Sequence, residues 1–111
     1  MSAITNEYMM EMMTKTKNYN LVILKAGLNY EQQNAKTIIW EHGRRNFELR
    51  AAGKLLIVCP VTDSSELRGV GIFNVDLEEL KQIMDQDPGV KSGIFTYEIH
   101  PVRSFPEDKL S

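Results

Sequence analysis

Lys54-Leu55-Leu56-Ile57-Val58-Cys59-Pro60 and Gly69-Val70-Gly71-Ile72-Phe73-Asn74-Val75 are two apolar runs separated by the polar stretch Thr62-Asp63-Ser64-Ser65-Glu66. Each run is too short for a typical helix and is bounded by turn residues, so both read as strands. The polar stretch joins them as consecutive strands with no helix between. What lies on either side of this pair decides the fold.

Upstream, the segment between Asn29 and Gly53 reads as a helix. Asn29 suits an N-cap, Gln32 stands at the capping-box position three residues on, and Gly53 supplies the residue after the C-cap. At a helical period, Ala35, Ile38, Ile39, His42 and Leu49 share one face, with Trp40 and Phe47 flanking it. Gly43 costs about 1 kcal/mol relative to alanine, too little to end the helix. Before it, Asn20-Leu21-Val22-Ile23-Leu24-Lys25-Ala26 is apolar on both parities, the pattern of a strand covered on both faces.

Downstream, Asp76 caps a second helix, with Glu79 completing a capping box and Leu77, Leu80, Ile83 and Met84 facing inward. Asp87-Pro88-Gly89 breaks that helix. A last strand, from Ile94 to Val102, alternates Phe95, Tyr97 and Ile99 with Thr96, Glu98 and His100. The order is β-α-β-β-α-β: an α+β chain of ferredoxin-like type, an antiparallel sheet with both helices on one face. Strands one and two are nevertheless apolar on both faces. A second copy of the chain is the simplest cover, giving a homodimer through the sheet face and a dimeric α/β barrel.

The chain has 111 residues, enough for one domain and little more. Residues 1–17 form a polar leader carrying Met9, Met10, Met12 and Met13, read either as a short helix that docks or as a flexible terminus. Residues 18–104 are the domain and 105–111 a polar tail. Thirteen basic and fifteen acidic residues give a net charge of −2, and no basic stripe invites nucleic acid. No apolar run is long enough to span a membrane or to serve as a signal peptide, so a cytoplasmic location is expected. Cys59 is the single cysteine, which rules out an intrachain disulfide. It follows an apolar run and reads as a buried, inert thiol.

His42 interrupts an otherwise apolar helical face. An imidazole there needs a polar partner. Burial disfavours the imidazolium and a neighbouring carboxylate favours it, a balance that suits general acid or base catalysis. The alternative is a core histidine satisfied by a backbone carbonyl. Asp87 before Pro88 is equally a common helix terminator. His100 falls on the polar parity of the last strand and reads as a surface residue. No ligand spacing requests a metal, and no phosphate loop or nucleophile elbow is present, so neither a metal site nor a cofactor is expected. Arg44 and Arg45 read as a solvated face that could also hold an anion at a cleft mouth.

Three stretches resemble the YCII-related family. Glu41-His42-Gly43-Arg44-Arg45-Asn46-Phe47-Glu48-Leu49-Arg50-Ala51-Ala52-Gly53-Lys54-Leu55-Leu56 is similar to its histidine-bearing helix and second strand. Asp87-Pro88-Gly89-Val90-Lys91-Ser92-Gly93-Ile94 is similar to its Asp-Pro segment, and Tyr97-Glu98-Ile99-His100-Pro101 to its closing strand. The resemblance covers about Tyr19 to Arg103. It implies a ferredoxin-like dimeric α/β barrel with a cleft in each protomer, and a histidine and an aspartate suspected of enzymatic work, here His42 and Asp87. Most members have no established reaction; one branch is linked to dechlorination of a chlorinated aromatic. Cys59-Pro60 replaces the Gly-Pro that often closes strand two, implying a bulkier cleft floor. Ser92 stands where alanine is common, and the leader is longer.

Three functions follow. One is a small-molecule enzyme using His42 and Asp87 for proton transfer. Another is a non-catalytic dimeric module that binds a metabolite or a protein. The third is a cofactor-free monooxygenase of the wider dimeric α/β barrel group, resting on fold alone.

Overall fold

The computed structural model describes residues 3–110. The elements are α1 (Asn6–Met13), β1 (Asn18–Ala26), α2 (Ala35–Ala51), β2 (Leu55–Pro60), β3 (Leu67–Phe73), α3 (Leu77–Asp85), α4 (Pro88–Lys91) and β4 (Phe95–Arg103). The four strands form one sheet in the order β2-β3-β1-β4, every neighbouring pair antiparallel. β2 and β3 are sequential neighbours, whereas β1 and β4 come from the two ends of the domain and pair at its other edge. This is the ferredoxin-like arrangement the element order predicts.

The core lies between the sheet and its helices. Val22 and Leu24 of β1, Leu55 of β2, Phe73 of β3 and Phe95 of β4 meet Ala35 of α2 and Leu80, Ile83 and Met84 of α3. Leu80 and Ile94 are fully buried, each contributing about 1.5–3 kcal/mol over an exposed side chain. α3 starts as the sequence predicts, with Asp76 Oδ1 accepting the Glu79 amide at 2.8 Å. Leu77 departs from its expected inward place and is exposed, because it lies on the first turn, before the helix reaches the core.

α2 begins at Ala35, later than the Asn29 cap predicts. Asn29 is committed elsewhere: its amide bonds Gly93 O at 2.9 Å and its Nδ2 bonds Ser92 O at 2.8 Å. With Gly27 N–H to Ile94 O at 2.7 Å, these bonds hold the loop after β1 against the start of β4. Only glycine fits at position 27, since a Cβ there would collide with the Gly93 carbonyl. Asn34, at the N-cap position, makes no side-chain cap. Trp40 and Phe47 do not flank the buried face. They are 72% and 74% exposed, because at a helical period both fall roughly 150° around α2 from the His42 side.

The face of the sheet away from the helices is apolar and half exposed across β2, β3 and most of β1, and polar along β4, where Thr96, Glu98 and His100 lie. Leu21 pairs with Ile72, Ile23 with Val70, and Ile57 with Ile72, so these five share that face. Cys59 pairs with Val70 on the same side and is exposed, which corrects the expectation of a buried thiol. An apolar run tells a strand's presence and leaves open which residue faces which side.

β3 is not regular. Leu24 pairs with Gly69 but Lys25 with Leu67, so Arg68 is an extra residue in a bulge. α1 is capped by Thr5, whose Oγ1 accepts the Tyr8 amide at 3.1 Å, and it buries none of its residues. Among the described residues no helix is long and apolar enough to cross a membrane.

Candidate active site

Period 3.6 places His42, Arg45, Asn46 and Leu49 on the side of α2 that faces the sheet. Asp87 is the N-cap of α4, its Oδ2 accepting the amides of Gly89 at 2.9 Å and Val90 at 3.2 Å in ordinary capping geometry. Its other oxygen, Oδ1, lies 2.8 Å from His42 Nδ1. Two residues that the sequence singled out, 45 positions apart, are therefore joined directly. Asp87 is 2% exposed, and a buried carboxylate needs such partners.

The hydrogen bond fixes the imidazole. A carboxylate oxygen can only accept, so Nδ1 carries the proton and neutral His42 keeps its lone pair on Nε2. Asn46 Nδ2 lies 3.4 Å from that nitrogen. Phe95 packs against the imidazole with ring centroids 4.8 Å apart, and Arg45 Nη1 stands 3.7 Å from Asp87 Oδ1.

These groups line a cavity of about 310 Å³ between α2 and the sheet. Its existence follows from β3. Gly69 and Gly71 pair with Leu24 and Val22, on the core-facing side, and neither fills the space above it. A Cβ at Gly69 would meet only backbone, Cys59 O at 3.5 Å and Pro60 Cα at 3.9 Å. Pro60 lines the cavity while Cys59 lies on the opposite face, so a cysteine in place of glycine before Pro60 does not thicken the floor, which corrects the expectation of a bulkier one.

The remaining sequence candidates separate clearly. Arg44 points outward to Glu41 at 2.9 Å, whereas Arg45 faces the cavity. His100 is exposed and pairs with Leu21 on the open face, so it does not approach His42. Among the described residues no three His, Cys, Asp or Glu side chains are grouped to hold a metal ion. The sequence reading missed Asn46, Tyr30, Phe95 and Arg68. Asn46 was findable, one turn after His42. Tyr30 lies 6.1 Å from Phe95, centroid to centroid, and Arg68 sits 5.3 Å over the Tyr30 ring.

The architecture and cavity define a ferredoxin-like α+β protein with a histidine–aspartate pair in the wall of a small, mostly apolar pocket. No family model matches the chain, and no curated protein matches it. Among solved structures it is similar to 5-chloro-2-hydroxyhydroquinone dehydrochlorinase (TftG) from Burkholderia phenoliruptrix AC1100, determined in complex with 2,5-dihydroxybenzoquinone. The two are 16% identical over 73% of this chain and 90% of that one, with a TM-score of 0.49. A likeness at this level says nothing about the reaction here, and the fold class stands on the strand order above.

Proposed function

We propose that the chain is a small-molecule enzyme in which His42 moves a proton and Asp87 orients it. The carrying observation is the 2.8 Å bond from His42 Nδ1 to a buried carboxylate at the edge of a cavity. The resemblance of residues 41–56 and 87–94 to the YCII-related family supports the same pair. In this reading Nε2 takes a proton from a bound ligand, and Asp87 stabilises the imidazolium that forms. Arg45 stands beside the same carboxylate. The chain's own side chains suffice for that step.

Asp87 also caps α4, which favours a second reading: a binding module in which the pair is structural. A screen of small metabolites for thermal stabilisation, run on wild type, His42→Ala and Asp87→Asn, separates the two. For an enzyme, both substitutions lower turnover of the stabilising compound, and the double variant is little worse than the worse single. Independent effects of the two substitutions, or a compound bound and never converted, sink the proton-transfer reading.

The working unit in this proposal is a homodimer through the open sheet face, where Leu21, Ile23, Ile57, Val70 and Ile72 are left half exposed. Light scattering after size exclusion at micromolar concentration checks it; a clean monomer mass rejects it.

A further inference from the structure

We infer that the cavity takes a small aromatic carboxylate, with Arg68 binding the acid and the ring lying over Gly69 and Gly71. The inference rests on the cavity being the ligand site of the reading above and goes further by naming the ligand's chemistry.

Charge comes first. Two arginines, Arg45 and Arg68, line the cavity against one carboxylate, Asp87. Asp87 is already committed to His42, Gly89, Val90 and Arg45. Arg68 joins none of the ion pairs among the described residues. Asp63, whose charge Arg68 does influence, spends its carboxylate on the amide and hydroxyl of Ser65. The cavity lining itself therefore holds two guanidinium groups against one carboxylate, with the Asp63 carboxylate near Arg68 but outside the lining.

The donors agree. Arg68 Nη1 bonds Tyr30 Oη at 3.3 Å, and Nη2 donates to the Ser65 carbonyl. Its Nε–H is buried without any acceptor. A buried donor left unpaired is destabilising, and fixed arginines with spare donors are matched to planar carboxylates. Stacking on Tyr30 and the bond to Ser65 hold the guanidinium in place before any ligand arrives.

Shape supplies the rest. Arg68, Tyr30, Phe95 and His42 follow one another along one wall, at successive spacings of 5.3, 6.1 and 4.8 Å. The adjoining floor is the glycine backbone of β3. A flat ring can lie on that floor along the aromatic wall, with its acid at the Arg68 end and its far edge toward His42. The volume of about 310 Å³ lies at the small end for ligand sites, which suits a single substituted ring.

The test uses benzoate and its uncharged isostere benzamide, titrated into the full-length nitrogen-15-labelled protein and followed by amide and arginine Nε–H shifts. Benzoate is expected to shift Gly69, Gly71, Phe95 and Arg68 Nε–H, and to bind at least about tenfold more tightly than benzamide. Arg68→Gln should abolish that preference, Arg68→Lys should keep part of it, and His42→Ala should leave it intact. Equal binding of the two probes to wild type overturns the inference. So does a preference that survives Arg68→Gln, or a failure of both probes to shift the cavity amides up to their solubility limits. A preference that holds while the His42 and Asp87 variants keep turnover would instead reject only the proton-transfer reading.

Discussion

Asp87 accepts the Nδ1 proton of His42 across 2.8 Å with one oxygen and closes the first turn of α4 with the other. One side chain thus links the tautomer of a cavity histidine to the start of a helix, and substitutions there divide according to which task they remove. Asp87→Ala removes both. The lost cap and the unpaired buried imidazole should together cost about 2–4 kcal/mol in urea unfolding. Asp87→Asn keeps a capping oxygen but turns an amide N–H toward His42, so the imidazole proton should move to Nε2. Nitrogen-15 spectra of the His42 ring would read this directly. A proton still on Nδ1 in Asp87→Asn would show that the carboxylate does not set the tautomer.

Gly69 offers a way to close the cavity without disturbing the core. A Cβ there meets Cys59 O at 3.5 Å, an ordinary contact, whereas one at Gly71 meets Phe73 Cε1 at 3.2 Å and Leu55 Cδ1 at 3.3 Å. Gly69→Val should therefore melt within a few degrees of wild type and bind any cavity ligand at least about tenfold more weakly. Undiminished binding by a well-folded Gly69→Val protein would place the ligand elsewhere.

Tyr97 should show itself at high pH. Burial, then the hydrogen bond to Asp85 Oδ1 at 2.6 Å and the Asp85 charge, push its phenol from 10.0 up to about 12. The raised value means the fold favours the neutral phenol. Its stabilisation is complete below pH 10.0 and is lost as the pH climbs through about 12. Tyrosinate absorbance should include a transition near that upper value that Tyr97→Phe removes. An identical titration curve for the two proteins would contradict the assignment.

A chain beginning at Lys17 should fold and melt within a few degrees of the full chain, since α1 buries none of its residues. Calorimetry checks this. A large fall in melting temperature would mean that Met9, Met10 and Met13, all exposed in one chain, are covered in the assembled protein.

His42 was legible in the sequence as a polar ring on an apolar helical face, whereas Asp87, an ordinary helix terminator by its residue type, was singled out only by the resemblance of its segment to a known family. Their meeting was not legible, since it depends on how α4 sits against α2. Trp40 and Phe47 were misplaced by position on the helix alone, a matter of angle that the periodicity does contain. Asn29 looked like a cap because capping is judged locally, while its partners, Ser92 and Gly93, lie more than half the chain away. Arg68 was hidden more thoroughly. Alternation along a regular strand puts it on the side opposite Gly69, and nothing in the residue types announces the bulge that overrides this.

That bulge makes the number of residues in β3 a chemical variable. Removing Leu67 would restore strict alternation, swing the guanidinium out to the bare side of the sheet and leave the strand's composition almost untouched. The pocket would then lose its positive end and keep its shape. Related chains differing by a single-residue gap at this point should accordingly sort into acid binders and neutral binders, a division that a comparison of aligned side chains alone would miss.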